Sequence, residues 1–153
     1  MGETPGSFEL LIKRNNAGHN HIDNLHVPTK NGRPRTRRVE PEKEVIEVRT
    51  MDSYNFTEVD IIKIDTEGYE YPVILGAEKT IMDNRPIVQV EMIEGQPEKF
   101  GYSCQQIVDW FVARDFDVYL CDGTNVGEVW SPVRKKVERF FVPKERDLQN
   151  FLK

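Results

Sequence analysis

The fold is indicated most clearly by residues 59–70, which read VDIIKIDTEGYE. Ile61, Ile62 and Ile64 form a short apolar run, and an acidic turn that contains Gly68 follows it directly. A short apolar run that ends in such a turn is typical of a strand buried in a parallel sheet. We therefore predict a strand over residues 59–64, with a loop at its carboxyl end.

Helical patterns follow this strand. Pro72 suits the first turn of a helix, where its missing N–H costs nothing, and the apolar residues after it recur at helical spacing. This pattern predicts one helix from about Pro72 to near Asn84. Ser103 and Gln106 have the spacing of a capping box, and the apolar residues after them predict a second helix that ends at about Arg114.

Strand patterns occur on both sides of these helices. Besides 59–64, the predicted strands cover residues 7–13, 44–49, 87–91, 116–121 and 137–142. The turn-rich stretch 15–24 is predicted to be a loop. The alternation of strands and helices after residue 59 indicates an α/β fold in which helices cover a twisted sheet, with the final two strands antiparallel.

The length of the chain predicts a single domain. Its 153 residues are 38% hydrophobic and contain no low-complexity segment, which is typical of a globular protein. Within residues 1–153 we expect a looser strand-and-loop region over 1–50 and an α/β core over 51–153. Cys104 and Cys121 are too far apart for a CxxC motif, so we expect reduced thiols in the core.

Charge and hydropathy exclude several classes of function. The chain carries 21 Lys and Arg against 26 Asp and Glu, a formal charge of −5, which argues against a nonspecific nucleic-acid coat. No apolar run approaches the ~20 residues that span a bilayer, and the opening residues lack the apolar core of a signal peptide. We therefore expect a cytoplasmic protein that does not bind membranes.

Acidic side chains follow the two central strand patterns. Asp65 and Glu67 come directly after the first of these strands, and Glu91 and Glu94 come at the end of the second. Ligands of open α/β sheets gather at the carboxyl ends of parallel strands, so Asp65 and Glu91 converge if the two strands are parallel neighbours. Such a group can bind a divalent cation, with Asp65 and Glu91 as ligands, or its members can raise one another's pKa so that one acts as a general base.

A simpler interpretation assigns these residues to local structure. Asp65 and Glu67 can cap the following helix, where negative charge offsets the helix dipole. Gly68 either lets a ligand approach the backbone closely or takes a positive φ in the turn. Lys63 lies on the side of its strand opposite to its neighbours.

The first half of the chain carries two further candidates. His19 and His21, with Asp23 and His26 nearby, could gather around a metal such as zinc, or could lie beside a substrate or in solvent. The segment 30–38, KNGRPRTRR, carries five basic residues. It could bind phosphate, an acidic sugar or nucleic acid, or it could be a solvated loop.

The region from 59 to 92 resembles the FkbM family of S-adenosylmethionine-dependent methyltransferases. The family hallmark is a strand that ends in K-I-D-x-E-G-x-E, then a helix with a V-L-x-G-A-like stretch, then a strand that ends in a glutamate. The matching residues here are Lys63, Ile64, Asp65, Glu67, Gly68, Glu70, residues 74–77 and Glu91. Weaker similarity extends upstream through Thr50, Met51 and Asp52, GSFELLI at 6–12 and AGHNHI at 17–22.

This resemblance implies a fold and an activity. The implied fold is Rossmann-like, of the class I methyltransferase type, with a mostly parallel sheet and flanking helices. The implied reaction transfers a methyl group from S-adenosylmethionine, usually to a hydroxyl oxygen of a sugar or another small metabolite. Asp65 would be the general base or a metal ligand, Glu67 and Glu91 would be ligands or orienting groups, and Lys63 would be a supporting charge.

The resemblance covers the downstream part of the family domain. The family's glycine-rich cofactor turn and the acidic residue for the ribose hydroxyls do not occur in the 153 residues, so the expected sheet is incomplete at its N-terminal, cofactor-binding half. Such a sheet has an open edge, which residues 1–50, a partner chain or a second copy could cover, unless the chain is a fragment. The alternative function is a noncatalytic remnant or subunit that binds a glycan or completes another protein's fold.

Overall fold

The computed structural model describes residues 2–12, 21–22, 42–131 and 137–146. These residues form two β-sheets, and the first contains the strands β1 (Gly6–Ile12), β2 (His21–Ile22) and β3 (Glu42–Val48) in the order β2-β1-β3. β1 pairs antiparallel with β3 over its whole length, and both strands predicted in this region are confirmed.

One prediction for this region is wrong at residues 21–22, the part of the stretch that the structure describes. The stretch 15–24 was expected to be a loop, but it contains β2, which pairs antiparallel with β1 through Leu10↔Ile22 and Leu11↔His21. The pairing depends on backbone groups of β1, and a two-residue strand leaves no periodic pattern in the sequence.

The second sheet contains the predicted strand after residue 59. Its strands are β4 (Ile61–Ile64), β5 (Ile87–Met92), β6 (Phe116–Tyr119) and β7 (Val137–Pro143), in the order β4-β5-β7-β6. β4 and β5 are parallel neighbours, with Ile64 opposite Val90. The strand predictions and the antiparallel final pair are confirmed.

The expectation of a mostly parallel sheet is not confirmed by the pairings that the structure describes. Only β4 and β5 pair in parallel, whereas β7 pairs antiparallel with both β5 and β6. A parallel connection needs a crossover of a dozen or more residues, usually a helix, and the described part of the β6–β7 connection contains none. β7 lies between β5 and β6 and runs antiparallel to both. β4, β5 and β6 therefore all run in the same direction.

The predicted helix from Pro72 to Asn84 is two helices, α1 (Glu70–Leu75) and α2 (Glu78–Asn84). Gly76 separates them, and a Cβ at this position would overlap the carbonyl oxygen of Gly2. The carbonyl oxygen of Gly76 accepts a hydrogen bond from the Asp52 amide at 3.0 Å. The helix breaks because the backbone of Gly76 contacts a distant part of the chain.

Helix α3 (Cys104–Val112) begins with the predicted capping box. Ser103 accepts a hydrogen bond from the Gln106 amide, and the Gln106 side chain accepts one from the Ser103 amide. The buried face of α3 packs on the second sheet, where Phe111 stacks on Phe141 with 4.0 Å between the ring centroids. Trp110 and Phe111 both belong to the core.

The two cysteines differ in burial. Cys104 is buried at the start of α3, and burial raises the pKa of its thiol to about 12. Cys121 is exposed, which corrects the expectation of two core thiols. Residue 121 follows β6 in a turn, so the apolar strand pattern before it does not extend to its side chain.

The outer edge of β4 has no strand neighbour among the described residues. Ile61, on this edge strand, is 62% exposed. A second copy or a partner chain over this edge stays a prediction. No helix in the described ranges has the length and apolar character that a bilayer crossing requires.

Candidate active site

Three carboxylates meet at the carboxyl ends of β4 and β5. One oxygen each from Asp65, Glu67 and Glu91 lies within 4.8 Å of the other two. The parallel register brings them together, because Ile64 lies opposite Val90 and the next residues are Asp65 and Glu91. The predicted convergence of Asp65 and Glu91 is confirmed.

The three carboxylates differ in their exposure to solvent. Glu91 is buried, Glu67 is half-buried and Asp65 is exposed. Glu91 lies within β5 rather than after it, because this strand continues to Met92. Glu94 is exposed in the following turn and does not belong to the group of three.

Lys63 is the basic residue at this end of the sheet. Its Nζ lies 3.5 Å from Oδ2 of Asp65, and both side chains are partly exposed. The two residues are two positions apart, so they lie on the same side of the chain as it leaves β4. The contact leaves the other Asp65 oxygen for a ligand and provides a positive charge beside the carboxylates.

Glu67 has an unusual backbone conformation. Its φ is +54°, in the left-handed region that residues with a side chain rarely adopt, at a cost on the order of 1–3 kcal/mol. Nε2 of Gln96 donates a hydrogen bond to Oε2 of Glu67 at 3.1 Å. Gly68 follows with a φ of +108°, and a Cβ there would lie 3.0 Å from the carbonyl oxygen of Gln96. Gly68 therefore serves the turn and the close approach of another loop.

The interpretation of Asp65 and Glu67 as helix caps is not supported. The N-cap residue of α1 is Tyr69, which makes no side-chain capping bond. Among the described residues, the partners of Asp65 and Glu67 are Lys63 and Gln96, not the first amides of α1. The contacts that the structure describes for these two carboxylates are therefore not capping bonds to α1.

Glu70 has a role that the sequence did not reveal. Its Oε1 accepts hydrogen bonds from the Thr66 amide at 3.1 Å, the Thr66 hydroxyl at 3.2 Å and the Gly68 amide at 2.9 Å. Glu70 is 2% exposed, and burial raises the pKa of its carboxyl although these hydrogen bonds oppose the rise. The only sequence signal for this role was an acidic residue in the first turn of an apolar helix. The partners of Glu70 could not be predicted, because they depend on the conformation of the turn between β4 and α1.

Tyr102 links the same turn to the loop that precedes α3. Its hydroxyl donates to the carbonyl oxygen of Gly68 and accepts from the amide of Tyr71 at 3.3 Å. Burial raises the pKa of Tyr102 far above its ordinary value, so the hydroxyl stays protonated and keeps its donor role. The turn between β4 and α1 is therefore fixed from two sides.

The chemistry of the group follows from its charges. Mg²⁺ and Ca²⁺ hold oxygen ligands at about 2.0–2.6 Å, so two oxygens on one ion lie at most about 5 Å apart. The separations among Asp65, Glu67 and Glu91 are compatible with that limit. Without a cation, an exposed carboxylate such as Asp65 can accept a proton from a bound hydroxyl group.

The structure does not show whether the candidates in the first half of the chain lie near the three carboxylates, because their side chains are outside the described residues. His19 and the basic segment 30–38 lie outside the described residues. His21 belongs to β2, and its side chain is likewise outside what the structure describes. Their proposed contacts with a metal, a substrate or nucleic acid stay predictions.

The family model described as the Methyltransferase FkbM domain matches residues 2–118. This range is more than half of the chain and includes all three carboxylates. The chain belongs to the FkbM methyltransferase family. This FkbM chain matches no curated protein and no solved structure.

The FkbM motif residues divide into two groups in the structure. Asp65, Glu67 and Glu91 face one another at the end of the sheet. Asp52 and Gly76 instead stabilise the fold, because Asp52 binds the start of α2 and Gly76 contacts the N-terminal segment. Family motifs thus mark both the candidate site and the contacts that shape it.

Proposed function

We propose that this chain is an S-adenosylmethionine-dependent methyltransferase that methylates a hydroxyl oxygen of a sugar or another small metabolite. The observation that carries the proposal is the convergence of Asp65, Glu67 and Glu91 within 4.8 Å at the carboxyl ends of two parallel strands. Ligands of α/β sheets bind at this edge. We also propose that the complete fold is Rossmann-like, which is supported by the common direction of β4, β5 and β6.

Asp65 is the base in this proposal. S-adenosylmethionine supplies an electrophilic methyl group when it is bound. The acceptor oxygen would bond to the methyl carbon as the carbon–sulfur bond breaks and S-adenosylhomocysteine leaves, and the exposed carboxylate of Asp65 would take up the proton of the acceptor hydroxyl. Lys63, with its Nζ 3.5 Å from Oδ2 of Asp65, provides a positive charge beside that carboxylate. Glu67 and Glu91 accept hydrogen bonds from other hydroxyl groups of the acceptor and so align it.

The residues fit the cofactor only in part. The three carboxylates suit the positive charge of a sulfonium, but the glycine-rich turn that the family uses for the cofactor does not occur in the sequence. We therefore assign no residue of this chain to cofactor binding. A divalent cation held by Asp65 and Glu91 is a second proposal, supported by the oxygen separations alone.

A first experiment measures binding. Isothermal titration of the chain with S-adenosylmethionine is expected to give a dissociation constant on the order of micromolar to millimolar, the usual range of enzyme substrates. The absence of binding heat over this range, at two temperatures, would favour the noncatalytic alternative, a module that binds a glycan or another protein. Repetition with Mg²⁺ and with a chelator tests the cation proposal.

A second experiment tests Asp65. Production of S-adenosylhomocysteine is measured with a panel of sugars and small hydroxyl compounds. Asp65→Asn is expected to lower the rate ~10²–10⁴-fold, the usual contribution of a general base. The melting temperature should not change, because Asp65 is exposed and its contact with Lys63 is long. Asp60→Asn is the matched control, since Asp60 is exposed outside the site. An Asp65→Asn rate equal to that of the control would remove Asp65 from the mechanism.

A further inference from the structure

The conformation of Glu67 needs an explanation within the structure. A left-handed φ at a residue with a side chain is maintained only when surrounding contacts determine it. Glu67 combines this conformation with a half-buried carboxylate that belongs to the group of three. The contacts that maintain the conformation of Glu67 therefore also determine where its carboxylate lies in the candidate site.

Glu70 fixes the backbone on both sides of Glu67. A single oxygen, Oε1, accepts from the amide of Thr66 at 3.1 Å and from the amide of Gly68 at 2.9 Å. These amides belong to the residues immediately before and after Glu67. Glu70 is 2% exposed, so water competes little for these hydrogen bonds.

Gln96 fixes the side chain of Glu67. Its Nε2 donates to Oε2 of Glu67 at 3.1 Å, while its backbone lies against Gly68 so closely that a Cβ there would be 3.0 Å from the Gln96 carbonyl oxygen. Gln96 belongs to the loop after β5, the strand that carries Glu91. The loop after one strand thus orients the carboxylate that follows the other.

We propose that Glu70 and Gln96 are positioning residues that hold the Glu67 carboxylate beside Asp65 and Glu91 before an acceptor binds. The expected effect on kcat rests on the proposed function. The expected effect on the conformation of Glu67 rests on the hydrogen bonds alone. Because the Glu67 carboxylate is already in position when the acceptor binds, it does not have to be ordered during the reaction. Such positioning raises kcat more than it changes KM.

The conformational test uses nuclear magnetic resonance and needs no activity. The three-bond coupling between the amide and α protons of Glu67 reports its φ, and exchange of the Gly68 amide with solvent reports its hydrogen bond. Glu70→Gln keeps an oxygen acceptor at the same position, so both signals should stay as in the unmodified chain. Glu70→Ala should change the coupling and accelerate exchange of the Gly68 amide. Unchanged signals in a folded Glu70→Ala variant would overturn the role of Glu70.

The catalytic test uses Gln96, because its side chain is only half-buried and its loss should leave the fold intact. Gln96→Ala is expected to lower kcat by ~10–100-fold with little change in KM and in melting temperature. Glu94→Ala, in the same loop but outside the carboxylate group, is the matched control and should keep the full rate.

The outcomes separate the two proposals. A kcat for Gln96→Ala equal to that of Glu94→Ala would overturn the role of Gln96. If the unmodified chain shows no methyl transfer, the proposed function fails. In that case the coupling constant of Glu67 in Gln96→Ala and Glu70→Ala still decides whether these residues hold its conformation.

Discussion

Asp52 allows a sharp test of the distinction between structural and catalytic motif residues. Its Oδ2 accepts from the Lys79 amide at 2.9 Å, and its Oδ1 accepts from the Thr80 amide at 2.8 Å and the Thr80 hydroxyl at 2.7 Å. The N-cap residue of α2 is Ala77, which cannot cap the helix, so Asp52 performs this role from 27 residues away. We predict that Asp52→Ala destabilises the fold and leaves the chemistry intact.

The size of the effect follows from these three hydrogen bonds. Loss of a helix cap costs about 0.5–2 kcal/mol. Thr80 is 3% exposed, and its hydroxyl would lose a charged partner, which adds about 1–3 kcal/mol. Together these give a loss of about 1.5–5 kcal/mol in the free energy of unfolding. At about 2–4 °C per kcal/mol for a chain of this length, the melting temperature should fall by roughly 3–20 °C. Asp52→Asn keeps one oxygen acceptor, so it should cost about 1 kcal/mol.

The assay is urea denaturation followed by circular dichroism, together with methyl-transfer rates measured well below the melting temperature. Asp60→Ala, which changes an exposed aspartate outside the site, is the control and should stay within about 0.5 kcal/mol of the unmodified chain. The reasoning is refuted if Asp52→Ala unfolds at the same urea concentration as Asp60→Ala, or if it stops methyl transfer while the fold is fully retained.

Two further predictions concern stability. Arg139 is 2% exposed, and burial lowers the pKa of its guanidinium. Its Nη1 has no hydrogen-bond partner among the residues that the structure describes. Arg139→Met should therefore raise the free energy of unfolding by about 1–4 kcal/mol in urea denaturation, and a lower value would contradict the prediction. The hydrogen bonds from Arg85 lower the pKa of Glu145 from 4.5 to about 2, so this pair stabilises the fold above pH 4.5 and loses its effect as the pH falls toward 2. Melting temperatures are measured between pH 2 and 6 for the unmodified chain and for Glu145→Gln, in which this titration is absent. The melting temperature of Glu145→Gln should decline less on acidification, and equal declines would contradict the assignment. Because Glu145 is exposed, the difference between the two chains should also become smaller with added salt.

Several features were predictable because their causes are local in the sequence. The apolar run at 61–64 and its acidic turn were sufficient to predict a strand with a carboxylate at its end. The capping box of Ser103 and Gln106 marked the start of α3, because both partners lie within one helical turn. The convergence of Asp65 and Glu91 followed once the two strands were assumed to be parallel neighbours.

Other features could not be predicted because their causes are distant in the sequence. The helix breaks at Gly76 because its backbone meets Gly2 and Asp52. The sheet is mixed because β7 enters it between β5 and β6. The error for Cys121 had a different origin, since a cysteine at the end of an apolar strand does not reveal whether the following turn exposes it.

The residue pattern was enough to determine the type of each main element and the end of the sheet where acidic groups collect, because side-chain periodicity and turn chemistry act over a few residues. The tertiary structure decided which acidic residues accept hydrogen bonds from backbone amides and which lie together at the carboxyl ends of β4 and β5. Glu70 and Asp52 are occupied by backbone amides, whereas Asp65, Glu67 and Glu91 face one another. This division depends on which segments pack together in the folded chain, and no local pattern specifies those distant partners.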